Sequence, residues 1–435
     1  MKFITLIAAA LTALSVGAQS HVDTYNDSLI ASHRFVWVDG KPAPEEVGAY
    51  VDSVRRVIGK FYYDQFHHFQ DPQAPYFLFL SKDAALAMGI GGAVRMRAYY
   101  DWGGAVPASA FAPYLIPMEA DPAVRRAVSA TPSGTCLFFR VIGQNKLLGE
   151  YQLYIEADFT GYQGRDFKLK KSYAIINDFT VGYAPSTFSD PAALPPMVDA
   201  AGPNNKISPT TCLVRYMPVV RDRYVFAVSA EMPATAADHT SGLTAKVRDW
   251  LPDFAAFAQY QWNRGQHVRL SGILRTLPYR DVAAGRNHTV AGWGVQLSSV
   301  AHPLPPLTTY VTLNYGHGYG SLGGDLLMGN YDLTPDPDMP GRMYAPRSWG
   351  WCAAVQYNIR PNLFCTLLGS QTRYCPRRPV AQDEYRTSYV AALNVFWMMT
   401  KRMTVAAEAD YGYRRNTDGA HRSSKRFNLM CQFSF

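Results

Sequence analysis

The chain has 435 residues and a formal net charge of +8, and it is 48% hydrophobic and 13% aromatic with a mean hydropathy of −0.14. After the N-terminal apolar run, no stretch supplies the roughly 18 consecutive apolar residues of a transmembrane helix. The basic excess does not form a stripe on a helix, so we expect no nucleic-acid partner. Abundant apolar residues without apolar runs are typical of alternating strands.

Residues 1–18 are predicted to be a cleaved signal peptide. Lys2 precedes an apolar run over residues 3–14, which is too short to span a bilayer. Small residues, Val16 and Ala18, occupy the −3 and −1 positions of a cut after Ala18. A retained anchor is the alternative, but no basic stop-transfer cluster follows. The sequence therefore predicts export from the cytoplasm.

Residues 19–85 differ from the rest of the chain and are predicted to form an N-terminal periplasmic segment with one helix. Its apolar residues recur at 4-3-4-3 spacing, which is typical of a helix: Val47, Val51, Val54, Ile58 and Phe61. An amphipathic helix that packs on its own chain is favoured over a short coiled coil between subunits, because the pattern covers barely two heptads.

From residue 86 to residue 435, apolar and polar residues alternate in strand after strand. A period of two places the two sets on opposite faces of a strand. In the last strand the apolar set ends on Phe435, an aromatic residue of the kind that closes an outer-membrane barrel at the lipid interface. We expect this residue to contact outer-membrane lipid and to be the one that the barrel-assembly machinery binds.

The fold class predicted for this region is all-β, a transmembrane antiparallel β-barrel preceded by a short helical segment. About 350 residues at roughly 20–24 per strand and connection give roughly 14 to 18 strands, and we predict 16, which leaves a water-filled lumen. Tight connections at 143–146 and 360–362 fit periplasmic turns. Longer connections are predicted to face outward, at 101–133, 185–208, 232–252, 300–306, 317–346, 374–385 and 414–423.

Charged residues on these strands lie opposite the apolar set and are therefore predicted to face the lumen. The basic set, predicted to line the pore and bind anions, is Arg95, Arg97, Arg140, Lys168, Lys170, Arg215, Arg269 and Arg275. The acidic set that opposes it is Glu156, Asp158, Glu408 and Asp410. An excess of basic residues in a pore selects for anions. The alternative for each single residue is that it only pairs with a neighbour or solvates the wall.

The long connection at 185–208 is predicted to fold into the barrel and narrow the lumen, and we call it the constriction segment. It has five prolines, which lower the entropic cost of ordering a long loop, and apolar residues that a solvent loop seldom carries. An ordered surface loop or a subunit contact is the alternative. Its candidate residues are Ser186, Phe188, Asp190, Asp199 and Asn204.

The stretch from Val181 to Pro195, with Gly202 and Pro203 after it, resembles the diagnostic segment of DcaP-like outer-membrane porins. Further pieces that resemble the family follow in order at 154–159, 272–275, 291–295 and 408–416. The resemblance covers roughly residues 87–435. It implies a trimeric, sixteen-stranded outer-membrane channel for small anionic solutes such as dicarboxylates, often with an N-terminal helical extension in the periplasm.

Two other functions compete with the channel. An outer-membrane lipid hydrolase needs a nucleophile beside a histidine and a carboxylate, and the sequence contains no GxSxG or HExxH motif. An adhesive surface barrel would have longer outer loops. The six cysteines form no CxxC motif, so we expect neither a metal site nor a cofactor.

Overall fold

The computed structural model describes residues 34–37, 65–69, 71, 77–81, 86–161, 164–220, 223–263, 265–381 and 383–435. The predicted signal peptide and the predicted helix over residues 47–61 lie outside the described residues and stay predictions. Among the described residues, no helix is long and apolar enough to cross a membrane.

Most described residues form antiparallel strands. In chain order the strands are β1 (Arg34–Trp37), β2 (Phe77–Leu80), β3 (Leu86–Trp102), β4 (Arg126–Thr131), β5 (Cys136–Asn145), β6 (Gly149–Thr160), β7 (Asp166–Ile176), β8 (Phe179–Pro185), β9 (Thr210–Tyr216), β10 (Val219–Val220), β11 (Tyr224–Glu231), β12 (Thr244–Lys246), β13 (Asp253–Asn263), β14 (Gln266–Asp281), β15 (Arg286–Leu304), β16 (Leu307–His317), β17 (Thr334–Pro335), β18 (Met343–Tyr344), β19 (Arg347–Arg360), β20 (Leu363–Cys375), β21 (Tyr385–Met398), β22 (Met403–Asn416) and β23 (His421–Ser434). Short 3-10 turns lie at Pro113–Leu115, Pro122–Val124, Pro191–Ala193, Gly320–Leu322 and Gly324–Met328.

The sheet closes on itself because β23 pairs with β3, for example Phe427 opposite Tyr100. β4 and β5 together make one crossing, since both pair with β3. Sixteen strands therefore form the closed antiparallel barrel, as predicted. β1 and β2 extend the wall below β23, where β2 pairs with the first residues of β3.

The two faces of the wall differ as the alternation predicts. On β3, Val94 and Met96 face outward and are 57% and 53% exposed, whereas Arg95 and Arg97 face inward and are 7% and 2% exposed. Outward aromatic pairs lie near both ends of the barrel, such as Phe179 with Tyr216 and Trp293 with Tyr315. An apolar exterior band between two aromatic girdles is the surface that lipid requires.

The connections differ in length at the two ends of the barrel. One end has tight turns, including 146–148 and 361–362, and the other has the long connections, including 103–125 and 318–346. The prediction of an outward loop at 300–306 is wrong, because β15 continues to Leu304 and turns at 305–306, at the tight-turn end. A register shift between Ala301 and Leu304 lets the strand continue there.

Candidate functional site

The constriction segment runs through the inside of the barrel along the wall from β11 to β23. Three of its apolar side chains, Phe188, Met197 and Val198, are at most 3% exposed. Each packs in a separate buried cluster. Phe188 packs on β13 and β14, Met197 on β19–β21, and Val198 on β20–β23. Burial of an apolar side chain contributes about 1.5–3 kcal/mol. These three contacts therefore hold the segment against one side of the lumen.

Asp190 joins the first part of the constriction segment to β14 and β15. Its carboxylate lies 3.4 Å from Arg269 Nη1 and 2.9 Å from His267 Nε2, and it accepts a hydrogen bond of 2.5 Å from the Ser298 hydroxyl. Burial raises the pKa of Asp190. Arg269 and His267 lower it by more than burial raises it, so the pKa lies well below its usual range. Asp190 is therefore ionised and paired with the wall.

Arg215 of β9 contacts the start of the same segment. Its Nε donates to the hydroxyl of Thr187 at 2.8 Å, and its Nη2 donates to the carbonyl of Pro185. Ser186 is fully buried beside them and its hydroxyl accepts a hydrogen bond of 3.1 Å from the Phe188 amide. Arg215 thus stabilises the sharp turn by which the chain leaves β8.

Asp199 joins the middle of the segment to the seam of the barrel. Its Oδ2 accepts from Arg97 Nη1 of β3 at 2.6 Å and from Arg426 Nη1 of β23 at 3.3 Å. The carboxylate of Glu408 on β22 accepts hydrogen bonds from the backbone amides of Val198 and Asp199, at 2.8 and 2.6 Å. Charge-assisted hydrogen bonds of this kind are about twice as strong as neutral ones. Arg97, Arg426 and Glu408 of the wall therefore hold this part of the segment.

Outer connections also reach into the lumen and contact the constriction segment. The Asn204 amide group donates to the Ser388 hydroxyl at 2.7 Å, and the Asn204 carbonyl accepts from the backbone of Asp325 at 2.9 Å. Arg275 holds two of these connections together, because its Nη2 donates to the Ala234 carbonyl at 3.1 Å and its Nη1 lies 3.0 Å from Asp332. The long-loop end of the barrel is thus a packed structure.

A cavity of about 260 Å³ lies on the other side of the constriction segment, against the wall that runs from β3 to β7. Its charged lining is Arg95, Asp158, Lys170, Lys171 and Lys206 from the barrel and the constriction segment, and Asp71 from the chain before β2. Four of these six are basic. We call this space the basic cavity.

A β-bulge produces the pair of lysines in the basic cavity. Glu156 of β6 pairs with Lys171 whereas Ala157 pairs with Leu169, so Lys170 is the extra residue on β7. Both lysines therefore reach the fully buried Glu156, with Nζ–carboxylate distances of 2.8 Å for Lys170 and 3.5 Å for Lys171. A strict alternation would place adjacent residues on opposite faces, and the bulge places both inside.

The structure distributes the predicted basic set over four locations. Arg95 and Lys170 line the basic cavity. The arginines that are at most 3% exposed are bound by the constriction segment or by outer connections, so they do not line open space: Arg97, Arg215, Arg269 and Arg275. Lys168 lies at the outer end of β7, 58% exposed and paired with Asp166 at 3.1 Å. Arg140 donates to Gln152 at 2.7 Å, away from the basic cavity.

The predicted acidic set divides in a similar way. Asp158 lines the basic cavity and Glu156 pairs with its lysines. Glu408 and Asp410 lie behind the constriction segment, where Asp410 accepts a hydrogen bond of 2.7 Å from Asn428. Glu408 holds the segment through two backbone amides, and neither acid lines the basic cavity.

Sequence reasoning missed three basic residues of the site. Lys171 is missed because the bulge cannot be read from a period of two. Lys206 lies in the constriction segment, whose course through the lumen the sequence does not give. Arg426 alternates in phase with the inward polar residues of β23, so its position could have been found; it pairs with Asp101 at 2.6 Å.

Ser298, His267 and Asp190 bring together the three side-chain types of a hydrolase triad. The serine hydroxyl and the histidine ring both contact Oδ2 of the aspartate, at 2.5 and 2.9 Å. A nucleophilic serine needs the histidine, not the carboxylate, as the partner of its hydroxyl. All three residues are buried, and Asp190 belongs to the constriction segment itself, so this arrangement fixes the segment and does not activate a nucleophile.

Comparison with solved structures identifies the class of fold. The chain is similar to the outer membrane channel DcaP of Acinetobacter baumannii, with a TM-score of 0.69, 19% identity, and coverage of 81% of this chain and 98% of that chain. It is also similar to a loop L8 deletion mutant of OmpT, an outer membrane protein of Vibrio cholerae, with a TM-score of 0.51, 11% identity, and coverage of 81% and 100%. No protein-family model and no curated protein matches the chain.

At these identities the likeness concerns the fold. With the closed barrel and its apolar exterior, it confirms the predicted outer-membrane β-barrel, and it confirms the resemblance to DcaP-like porins at the level of architecture. The matched share, 81% of this chain, is about the length of the barrel region at residues 86–435.

Proposed function

We propose that the protein is an outer-membrane porin through which small hydrophilic anions, dicarboxylates among them, diffuse by way of the basic cavity. The observation that carries the proposal is the composition of that cavity, in which four basic residues face two acidic ones, Asp158 and Asp71. Such a charge balance inside a low-dielectric wall raises the local concentration of anions and lowers that of cations.

The surrounding contacts support a passage of fixed width. The constriction segment is held by buried apolar clusters and by the ion pairs of Asp190 and Asp199. The basic cavity therefore lies between the constriction segment and the wall from β3 to β7, next to Arg95 and Lys170. The proposal includes a homotrimer in contact with outer-membrane lipid, which the resemblance to DcaP-like porins implies.

Reversal potentials in a salt gradient test this function on two lysines of the same strand. Lys170→Gln removes a charge from the basic cavity, whereas Lys168→Gln removes the same charge from the exposed outer end of β7. We expect the wild-type channel to prefer chloride over potassium. Lys170→Gln should lower that preference on the order of twofold, and Lys168→Gln should leave it nearly unchanged.

Purified protein that gives no stepped current in a planar bilayer would contradict the channel. A wild-type preference for cations would contradict the choice of solute. Equal effects of the two substitutions would mean that anions do not pass the basic cavity.

A further inference from the structure

A short piece of chain that precedes the barrel lies inside its lumen. Residues 65–69 and 71, which we call the lumen segment, contact inward residues near the tight-turn end, below the constriction segment. On one side, the side-chain carbonyl of Gln65 accepts a hydrogen bond of 2.8 Å from Gln259. The backbone carbonyl of Gln65 accepts one of 3.1 Å from Arg269. On the opposite side, the Phe69 ring lies 5.1 Å from that of Phe396. The segment therefore crosses the lumen.

Phe66 anchors the lumen segment on two arginines of the wall. Its ring centroid lies 4.0 Å from the guanidinium carbon of Arg215 and 5.4 Å from that of Arg269. The ring is 5% exposed and packs against Phe257 and Val225. A guanidinium over an aromatic face is an attractive contact, stronger when desolvated. The two arginines thus bind the constriction segment and the lumen segment together.

Asp71 places a carboxylate in the basic cavity. One oxygen lies 3.0 Å from Lys171 Nζ and the other lies 3.6 Å from Lys170 Nζ, so the carboxylate bridges both ammonium groups. The backbone amide of His68 donates to the same carboxylate at 3.0 Å, which fixes the turn between residues 68 and 71. Burial raises the pKa of Asp71, but Lys171 and Lys170 lower it more, so the net pKa lies below its usual range. The bridging group is therefore charged.

We propose that Lys170 and Lys171 form a carboxylate-binding site and that Asp71 of the lumen segment is its tethered occupant, which permeating carboxylates displace. The inference rests on the proposed anion channel and adds the site, its ligand chemistry and a built-in competitor. With Asp71 displaced, Arg95, Lys170, Lys171 and Lys206 face only two acids nearby among the described residues, Asp158 and the buried Glu156, so the basic excess around the two lysines suits a carboxylate of a solute.

Tethering sets the concentration at which solutes compete. A group attached by a short chain acts at an effective concentration on the order of millimolar. Solute carboxylates bind only to the fraction of channels in which the lumen segment has left, so their apparent affinity is reduced by that fraction. Any change that weakens the binding of the lumen segment to the barrel should therefore tighten the apparent binding of a carboxylate solute.

Two substitutions weaken the binding of the lumen segment to the barrel in different ways. Asp71→Asn removes the tethered charge and keeps the volume, whereas Phe66→Ala removes the anchor and leaves every charge in place. Asp166→Asn is the matched control, since it removes a carboxylate that pairs with Lys168 outside the cavity. The substituted residues of the lumen segment are not part of the barrel wall, so the barrel can form in both variants.

The measurement is single-channel current of the full mature chain, with succinate titrated as a blocker and with reversal potentials recorded for each variant. We expect about tenfold tighter succinate binding in Asp71→Asn and in Phe66→Ala than in the wild type and in Asp166→Asn. The open-channel conductance should also rise in the two lumen-segment variants.

The outcomes separate the inference from the function. If all four proteins prefer anions and bind succinate equally, the tethered occupant is refuted and the anion channel stands. If only Asp71→Asn differs, the effect is one of pore charge and the displaceable segment is refuted. If all four prefer cations, the proposed function fails, and the inference fails with it.

Discussion

Asp199 is the residue on which the position of the constriction segment depends most. It is 2% exposed and contacts arginines from β3 and β23, the two strands that close the barrel. Burial raises its pKa, but Arg97 and Arg426 lower it below its ordinary value. A carboxyl with a lowered pKa contributes stability above its unfolded-state pKa and loses it only in acid. The pairing is therefore intact at neutral pH.

Asp199→Asn should destabilise the folded barrel. The substitution leaves Arg97 buried with no carboxylate at 2.6 Å, whereas Arg426 keeps Asp101. Removing one partner of a buried ion pair costs about 3–5 kcal/mol. Thermal unfolding followed by circular dichroism in detergent would show this as a lower transition temperature.

The matched control is Asp338→Asn, which breaks an exposed pair with Arg378. Exposed pairs contribute about 0–1 kcal/mol, so this variant should unfold close to the wild type. Equal transition temperatures for the two variants would contradict the role of Asp199.

At the scale of elements, the connection at 318–346 is docked on the constriction segment through a buried acid. Asp325 is 2% exposed, its backbone amide donates to the Asn204 carbonyl at 2.9 Å, and its carboxyl accepts from the Ser388 hydroxyl. Burial raises the pKa of Asp325 to about 7. The docked connection therefore binds a proton that the undocked, solvated carboxyl would release above about pH 4.

Docking of this connection should weaken as the pH rises. Between the undocked pKa and the docked pKa of about 7, the docked state holds more protons, so its stability falls with increasing pH. From about pH 5 to about pH 8 the expected loss is about 3 kcal/mol. Hydrogen exchange over residues 318–346, corrected for the intrinsic rate, should show faster opening at the higher pH.

Asp325→Asn replaces the titrating group with a neutral one and should remove this pH dependence. A wild-type protein whose corrected exchange is the same at both pH values would contradict the assignment to Asp325.

At the scale of the whole molecule, the sequence sufficed for the barrel and for little of the site. Lipid outside the barrel and polar groups inside it make apolar and polar side chains alternate along each strand. This alternation can be read from the sequence, as the outward Val94 and the inward Arg95 show. The inward face was therefore predictable, but the use of each inward charge was not. Arg269 and Arg275 are bound by other segments of the chain, and only the three-dimensional course of those segments reveals this.

Local irregularities account for the other differences. The bulge at Lys170 brings Lys171 into the basic cavity, and the register shift after Ala301 carries β15 past the expected loop. Both are departures from strict alternation, so a method based on alternation misses them. The contacts of Phe66 join residues far apart in sequence and leave no periodic signal.

The central claim is that solutes pass through the basic cavity, and Ala200→Trp tests it most directly. Ala200 belongs to the constriction segment, is exposed and lines the cavity, so an indole ring there fills the passage without disturbing the buried clusters. The measurement is single-channel conductance in a planar bilayer, compared with the wild type. We expect Ala200→Trp to lose most of the conductance. A conductance equal to that of the wild type would show that solutes take another route and would contradict the claim.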